Sequence, residues 1–388
     1  DTTSGPIWWA YATGATAVAP PTVGFDGVVA LSNDRSVHSL ERGINGGTWP
    51  SAWVPPILNG VVHSRSPIMP MPTPADPLLL VGDDSGELTA INTRTGLKAW
   101  GPISFSGAMI TGAPGAFATR WGGPADVVLV GTRVGGAGYF YTRDLATGGP
   151  IDTYDGGGAL GPVTTTPVLD YGTGHAYFTS WGLTIGTTTA WCVDVDAAGS
   201  MTPCTGWTLP DLDDIDASPV LENGRVYVAN TAGEVYPLDP ADGTHVLPPP
   251  PIFSTGDGPV KGFLFPDRRG SELYFATDSQ VWSVTDTAGT LSTNWTWDDG
   301  PGFKPSIVLH WPGTDYLFVG SDGGKLYQLE ISGGRPSTPC TPPSCKVVVL
   351  GDGSDHLGAP SLDIAVVPPL LHVGSEAGVV YAVEVPLP

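Results

Sequence analysis

One block recurs eight times along this chain. It reads as an apolar strand, a turn of Gly, Asp and Ser, a second short apolar strand, an acidic residue and a Gly. Its clearest copy is Leu80-Val81-Gly82-Asp83-Asp84-Ser85-Gly86-Glu87-Leu88-Thr89-Ala90-Ile91-Asn92, and Val319 to Glu330, Val373 to Glu384 and Val228 to Asp239 repeat it. Aligned on the second strand, the copies fall at Val37, Leu88, Phe140, Ala190, Val235, Val281, Leu326 and Val380, spaced 45 to 54 residues apart. A second token precedes each block: a small or polar residue, then Pro, then apolar residues. It stands at Ala19-Pro20, Ser66-Pro67, Ala113-Pro114, Thr166-Pro167, Ser218-Pro219, Lys304-Pro305 and Ala359-Pro360, with Lys261-Gly262-Phe263 in the sixth unit. Two tokens kept in one order eight times mean that one supersecondary unit is repeated.

Each unit has room for four strands. Asn-Gly and Asp-Gly pairs between apolar runs, as at Asn59-Gly60, Asn223-Gly224 and Asp322-Gly323, favour two-residue hairpins, because both central residues take positive φ. No amphipathic helical stretch of useful length occurs. Repeats of this size with four antiparallel strands are propeller blades. The expected fold is therefore all-β: one eight-bladed β-propeller of four-stranded antiparallel blades over 1–388. Insertions are expected near 199–206 and 333–345. Composition agrees. Gly (54) and Pro (40) are abundant, but 41% hydrophobic residues and 13 Trp are more than a disordered chain carries.

The two ends complement each other. The last unit stops at Ala382-Val383-Glu384-Val385-Pro386-Leu387-Pro388 without a fourth strand, and the chain begins with Gly5-Pro6-Ile7-Trp8-Trp9-Ala10-Tyr11, a strand with no unit before it. Pairing the N-terminal strand with the last blade closes the ring and removes an open edge. The first residue is Asp1, as in a mature chain after leader removal or a trimmed one. No apolar run reaches 18 residues, so no transmembrane helix is expected.

Ala90-Ile91-Asn92-Thr93-Arg94-Thr95-Gly96-Leu97-Lys98-Ala99-Trp100 resembles the tryptophan-docking motif of the PQQ-like (quinoprotein alcohol dehydrogenase-like) propeller family, Ala-x-Asp-x-x-x-Gly-x-x-x-Trp. Ser39 to Trp49 keeps the span. Pro237-Leu238-Asp239 to Gly243 keeps the acid and the Gly with Leu247 at the Trp place, and Thr142-Arg143-Asp144 to Gly148 keeps them with Asp152 there. The resemblance implies that Trp8, Trp9, Trp49 and Trp100 dock blade to blade. It also implies two kinds of relative. Enzymatic members hold PQQ over a Ca²⁺ ion, commonly beside a disulfide of adjacent cysteines. Non-enzymatic members include an eight-bladed periplasmic scaffold of outer-membrane assembly, which this chain is nearer in size and blade count.

The residues offer little chemistry. None of the seven His stands in H-E-x-x-H or beside G-x-S-x-G, and no two cysteines are adjacent. Gly-rich runs such as Gly156-Gly157-Gly158 lack the following Lys of a phosphate loop. Asp211, Asp213, Asp214 and Asp216 place four carboxylates in six residues. That is a candidate calcium loop, since Ca²⁺ takes six to eight oxygens, and equally a solvated acidic rim. No other cofactor is expected. Cys192/Cys204 and Cys340/Cys345 lack metal-knuckle spacing and read as two short disulfides of an exported protein.

With 38 acidic against 16 basic residues, net −22, the chain repels phosphate backbones, which excludes nucleic acid as a partner. The expected function is a non-catalytic binding or scaffolding module in a cell-envelope or extracellular assembly. Its partner would be a protein or surface polymer, with homo- or hetero-oligomeric assembly compatible. The location would be periplasmic, extracellular or cell-surface. The alternatives are a PQQ- and Ca²⁺-dependent dehydrogenase, and a structural subunit of a surface layer or filament.

Overall fold

The computed structural model describes residues 6–24, 27–43, 46–48, 57–61, 69–71, 78–183, 187–207, 212–244, 253–267, 271–300, 302–311 and 314–388. Its strands form eight antiparallel sheets. Seven have four strands, and the first has three among the described residues. Blade 1 comprises Thr22–Val23, Val28–Leu31 and Val37–Leu40. Blade 2 comprises Met69–Met71, Leu78–Gly82, Glu87–Asn92 and Lys98–Ser104. Blade 3 runs from Gly115–Phe117 to Pro150–Tyr154, blade 4 from Val168–Asp170 to Met201–Pro203, and blade 5 from Val220–Glu222 to Phe253–Ser254. Blade 6 runs from Lys261–Pro266 to Thr290–Trp297 and blade 7 from Phe303–Trp311 to Cys345–Val349. Blade 8 holds Ser361–Asp363, Leu370–Gly374 and Val379–Glu384, and takes its outermost strand, Ile7–Ala12, from the other end of the chain.

That closure pairs the two ends of the chain as expected. Trp9 faces Ala382, Ala10 faces Tyr381, Tyr11 faces Val380 and Ala12 faces Val379. The innermost strands of neighbouring blades touch around the ring, including those of blades 8 and 1. All eight residues of the repeat alignment, Val37 through Val380, lie on the third strand of their blade.

The middle strands are apolar because other blades cover both their faces. Leu78–Gly82 and Leu370–Gly374 are buried at every position, the signature of strands without a solvent face. The outermost strands are more open to solvent: no residue of Pro150–Tyr154 is fully buried. Where the second strand ends, the chain places a buried hydrogen-bonding residue in every blade: Ser32, Asp83, Thr132, Ser180, Asn230, Thr277, Ser321 and Ser375, none more than 2% exposed. In five of them, Ser32, Asp83, Asn230, Ser321 and Ser375, the side chain accepts N–H groups of the turn to the third strand, which lack ladder partners. Asp83 accepts from the N–H groups of Gly60 (3.0 Å), Ser85 (3.1 Å) and Glu87 (2.9 Å). Asn230 accepts from Ala232 and Glu234, and Ser321 from Gly323 and Lys325.

One sequence expectation changes. Residues 199–206, read as an insertion, contain Met201–Pro203, the outermost strand of blade 4 itself. A three-residue strand beside a Cys and a Gly carries too little alternation to register as one. Residues 333–345 do form a long connection between the last two strands of blade 7.

Candidate functional site

Two of the small-residue–Pro tokens, Thr166-Pro167 and Ser218-Pro219, line a cavity at the innermost strands, and hydrogen bonds there join the blades. Ala113 N–H donates to Thr166 Oγ1 of the next blade (3.0 Å), and Thr166 N–H donates to Ser218 Oγ of the one after (3.0 Å). Ser218 then bridges in parallel to Phe263. At Ala113-Pro114 and Thr166-Pro167 the residue before the Pro thus gives its amide to a hydroxyl of the next blade, while Pro has no amide to leave unpaired. The cavity, of about 270 Å³, is lined by Ala116, Thr166, Pro167, Val168, Leu169, Tyr171, Ser218, Pro219 and Phe263. Its hydroxyls take part in the ring: Thr166 and Ser218 accept the bonds between blades, and Tyr171 donates to Ala116 O.

A quinone over a cation needs hard oxygen ligands for the metal and a carboxylate base at the substrate. The residues lining this cavity include no carboxylate and no amide side chain. The two disulfides lie in the outer halves of blades 4 and 7. The residues lining this cavity therefore do not fit the cofactor of the enzymatic relatives.

The acidic segment lies between blades 4 and 5. Asp211 falls outside the described residues. Asp214 accepts from Gly182 N–H (2.9 Å), and Asp216 accepts from the Trp181 indole (2.9 Å) and Thr164 Oγ1 (3.2 Å). Asp213 takes a left-handed backbone, φ 60°, and its carboxylate is solvent-exposed. Two of the carboxylates thus fasten blade 5's incoming loop to a loop of blade 4. The cysteines pair as Cys192–Cys204 and Cys340–Cys345, and no cysteine is free.

The docking tryptophans differ among themselves. Trp100 donates its indole N–H to Leu145 O of blade 3 (3.0 Å), and its ring leaves no room for a Cβ on Gly148. Trp9 donates to Gly43 O of blade 1 (3.1 Å) and lies over Gly47. Trp8 turns to Glu384 of its own blade (2.8 Å). Trp49 lies outside the described residues. Sequence reasoning missed Trp297, which donates to Ser337 O of blade 7 (2.8 Å). Its hairpin, Val281–Thr287 with Thr290–Trp297, sets Trp297 opposite Val281, 16 residues away, where Trp100 lies opposite Ala90, 10 away, so the motif spacing does not reach it. It also missed Asp152, whose carboxylate accepts from Met201 N–H of blade 4 (2.7 Å).

The seam between blades 8 and 1 holds the densest polar chemistry. Asp363 is buried and takes a two-pronged hydrogen bond from the Arg42 guanidinium. Burial opposes its charge, but His372, Arg42 and the Ala365 N–H together hold its carboxyl well below the usual range. His372 is fully buried, stacks on Trp9 (5.4 Å between centroids) and lies 3.9 Å from Asp363. That is too far for a hydrogen bond, and its ring nitrogens find none. Nearby, His38 sits between Asp34 Oδ2 (3.0 Å) and Tyr11 OH (3.3 Å). Burial lowers the pKa of both histidines, against the pull of Asp34 on His38 and of Asp363 on His372.

Residues 1–109 match the family model described as outer membrane protein assembly factor BamB. No curated protein matches the chain. Among solved structures, BamB from Moraxella catarrhalis is similar at 16% identity over 97% of this chain and 98% of that one, with TM-score 0.63. Quinohemoprotein alcohol dehydrogenase from Comamonas testosteroni is similar at 14% identity over 97% of this chain and 76% of that one, with TM-score 0.67. Sqt1 of Saccharomyces cerevisiae is similar at 11% identity over 99% and 100%, with TM-score 0.68. Among the described residues no helix is long and apolar enough to cross a membrane. Over residues 1–109 the chain carries the pattern of the BamB-type PQQ-like repeat model, and over nearly its whole length it has the eight-bladed propeller fold that BamB and the quinoprotein dehydrogenases share.

Proposed function

We propose that this propeller is a non-catalytic binding module of an exported, cell-envelope or extracellular assembly, holding a protein or surface polymer against its rims. The observation that carries the reading is the wall of the cavity at the innermost strands: apolar side chains and hydroxyls already engaged in the ring, where an enzymatic relative needs metal ligands and a base. The match of residues 1–109 to an assembly factor supports it. So do the two disulfides, which belong to an oxidising compartment. A rigid disc with irregular loops suits holding partners, since binding groups concentrate on loops above a fixed scaffold. The test is to add PQQ and Ca²⁺ and measure quinone uptake and dye-linked oxidation of alcohols and aldoses. The expected result is neither uptake nor turnover. Stoichiometric uptake with turnover overturns the reading in favour of a dehydrogenase.

A further inference from the structure

The disulfide of blade 4 has a histidine beside it. A ring nitrogen of His175 lies within 4.8 Å of both Cys192 and Cys204 sulfurs. Among the described residues this is the only set of three or more His, Cys, Asp and Glu side chains whose donor atoms gather so closely. The cysteines are buried and His175 is half-buried. Strand register assembles the group. His175 opens the strand His175–Thr179, Cys192 stands opposite Tyr177 on the next strand, and Cys204 follows Met201–Pro203.

Two further features prepare these residues for a ligand other than each other. The Cys204 N–H donates to Cys192 O (3.1 Å), so the backbone keeps the cysteines adjacent whether or not the sulfurs are bonded. The Tyr177 hydroxyl donates its single hydrogen to Pro240 O (3.0 Å), so at 3.2 Å it accepts from His175 Nδ1–H. That bond holds the imidazole in place, as an outer hydrogen bond orients a metal-binding histidine.

We propose that, when the disulfide is reduced, Cys192, Cys204 and His175 form a three-ligand site for Zn²⁺. A phosphine cleaves the S–S bond and becomes its oxide, water supplying the oxygen and the two thiol protons. Zn²⁺ then displaces both thiol protons as two thiolate bonds form, while a neutral imidazole nitrogen of His175 binds without losing a proton. A tetrahedral ion with Zn–S bonds of ~2.3 Å holds two sulfurs roughly 3.8 Å apart. Cysteines with Cα atoms 5.4 Å apart reach that span by side-chain rotation. Water completes the fourth position. The inference stands apart from the scaffold reading, because the group lies in the outer half of blade 4, away from the channel.

The test uses the full chain, reduced anaerobically with a phosphine and titrated with Co²⁺ as the spectroscopic stand-in for Zn²⁺, alongside circular dichroism. The expected result is one ion per chain with thiolate-to-cobalt charge-transfer and tetrahedral d–d bands, displaced by Zn²⁺ and absent from the oxidised protein. Cys340→Ser/Cys345→Ser retains the bands. Cys192→Ser/Cys204→Ser loses them, and His175→Ala weakens binding by at least about tenfold. A reduced wild type without the bands overturns the proposal, whether its strand signal persists or is lost. So does equal affinity in the His175→Ala protein.

Discussion

Trp100 and Asp152 stand at the same place in consecutive blades and fasten them with opposite polarity. The indole gives its hydrogen to Leu145 O, while the carboxylate takes one from Met201 N–H. The first was legible, because Trp at that spacing is the motif. The second was not, because an Asp on an outer strand reads as a solvated residue. Different consequences follow. Trp100→Ala empties a buried site and costs about 3–5 kcal/mol. Trp100→Phe keeps the ring stack, loses the hydrogen bond and costs about 1 kcal/mol. Asp152→Leu leaves the Met201 amide without its acceptor and costs about 1–3 kcal/mol, whereas Asp152→Asn, which keeps an acceptor oxygen, costs less. Denaturant melts of the four variants check the order. Equal losses for Trp100→Phe and Trp100→Ala would deny the indole ring its packing role.

At the level of strands and loops, the sequence was most readable where burial is complete. The apolar second and third strands and the buried polar residue between them recur in every blade, because each must satisfy the same covered turn. Ser180 and Thr277 show how far that pattern carries. Each accepts the indole N–H of a Trp on the following strand, Trp191 and Trp282, at 2.9 Å. The outer strands were the least readable, since short edge strands need only a few residues, and Met201–Pro203 passed for an insertion. The disulfides belong to this layer. Cys192–Cys204 joins two neighbouring strands of blade 4, and Cys340–Cys345 pins the connection of blade 7. With 12 and 5 residues of separation, loop entropy gives about 3 and about 2 kcal/mol. Reduction is expected to lower the melting temperature and leave the strand circular dichroism intact. Collapse of the strand signal on reduction would mean that the bonds hold the ring rather than its rim.

Ring closure depends on one non-covalent joint, Ile7–Ala12 against Val379–Glu384 within blade 8, and the seam beside it, between blades 8 and 1, buries several ionisable groups. His38, facing Asp34 and Tyr11, and His372, facing Asp363, Arg42 and Trp9, have folded-state pKa values below 6.5. The unfolded chain therefore binds protons that the folded one refuses, and stability falls as pH drops below about 6.5. Asp363 acts further down: its depressed pKa contributes stability above about 3.9, lost as pH falls through the folded value. His372→Leu is expected to flatten the loss of melting temperature between about pH 7.5 and 5.5. An identical loss in wild type and variant would remove His372 from the account. Closure itself is the central structural claim, because the chain links each blade to the next, while its two ends are held together by Ile7–Ala12 lying against Val379–Glu384. The direct measurement is hydrogen exchange across Val379–Glu384 in the intact chain and in one lacking residues 1–12. The account predicts slow exchange in the first, and in the second fast exchange with a sharply lower melting temperature. Equal protection in both chains would contradict it.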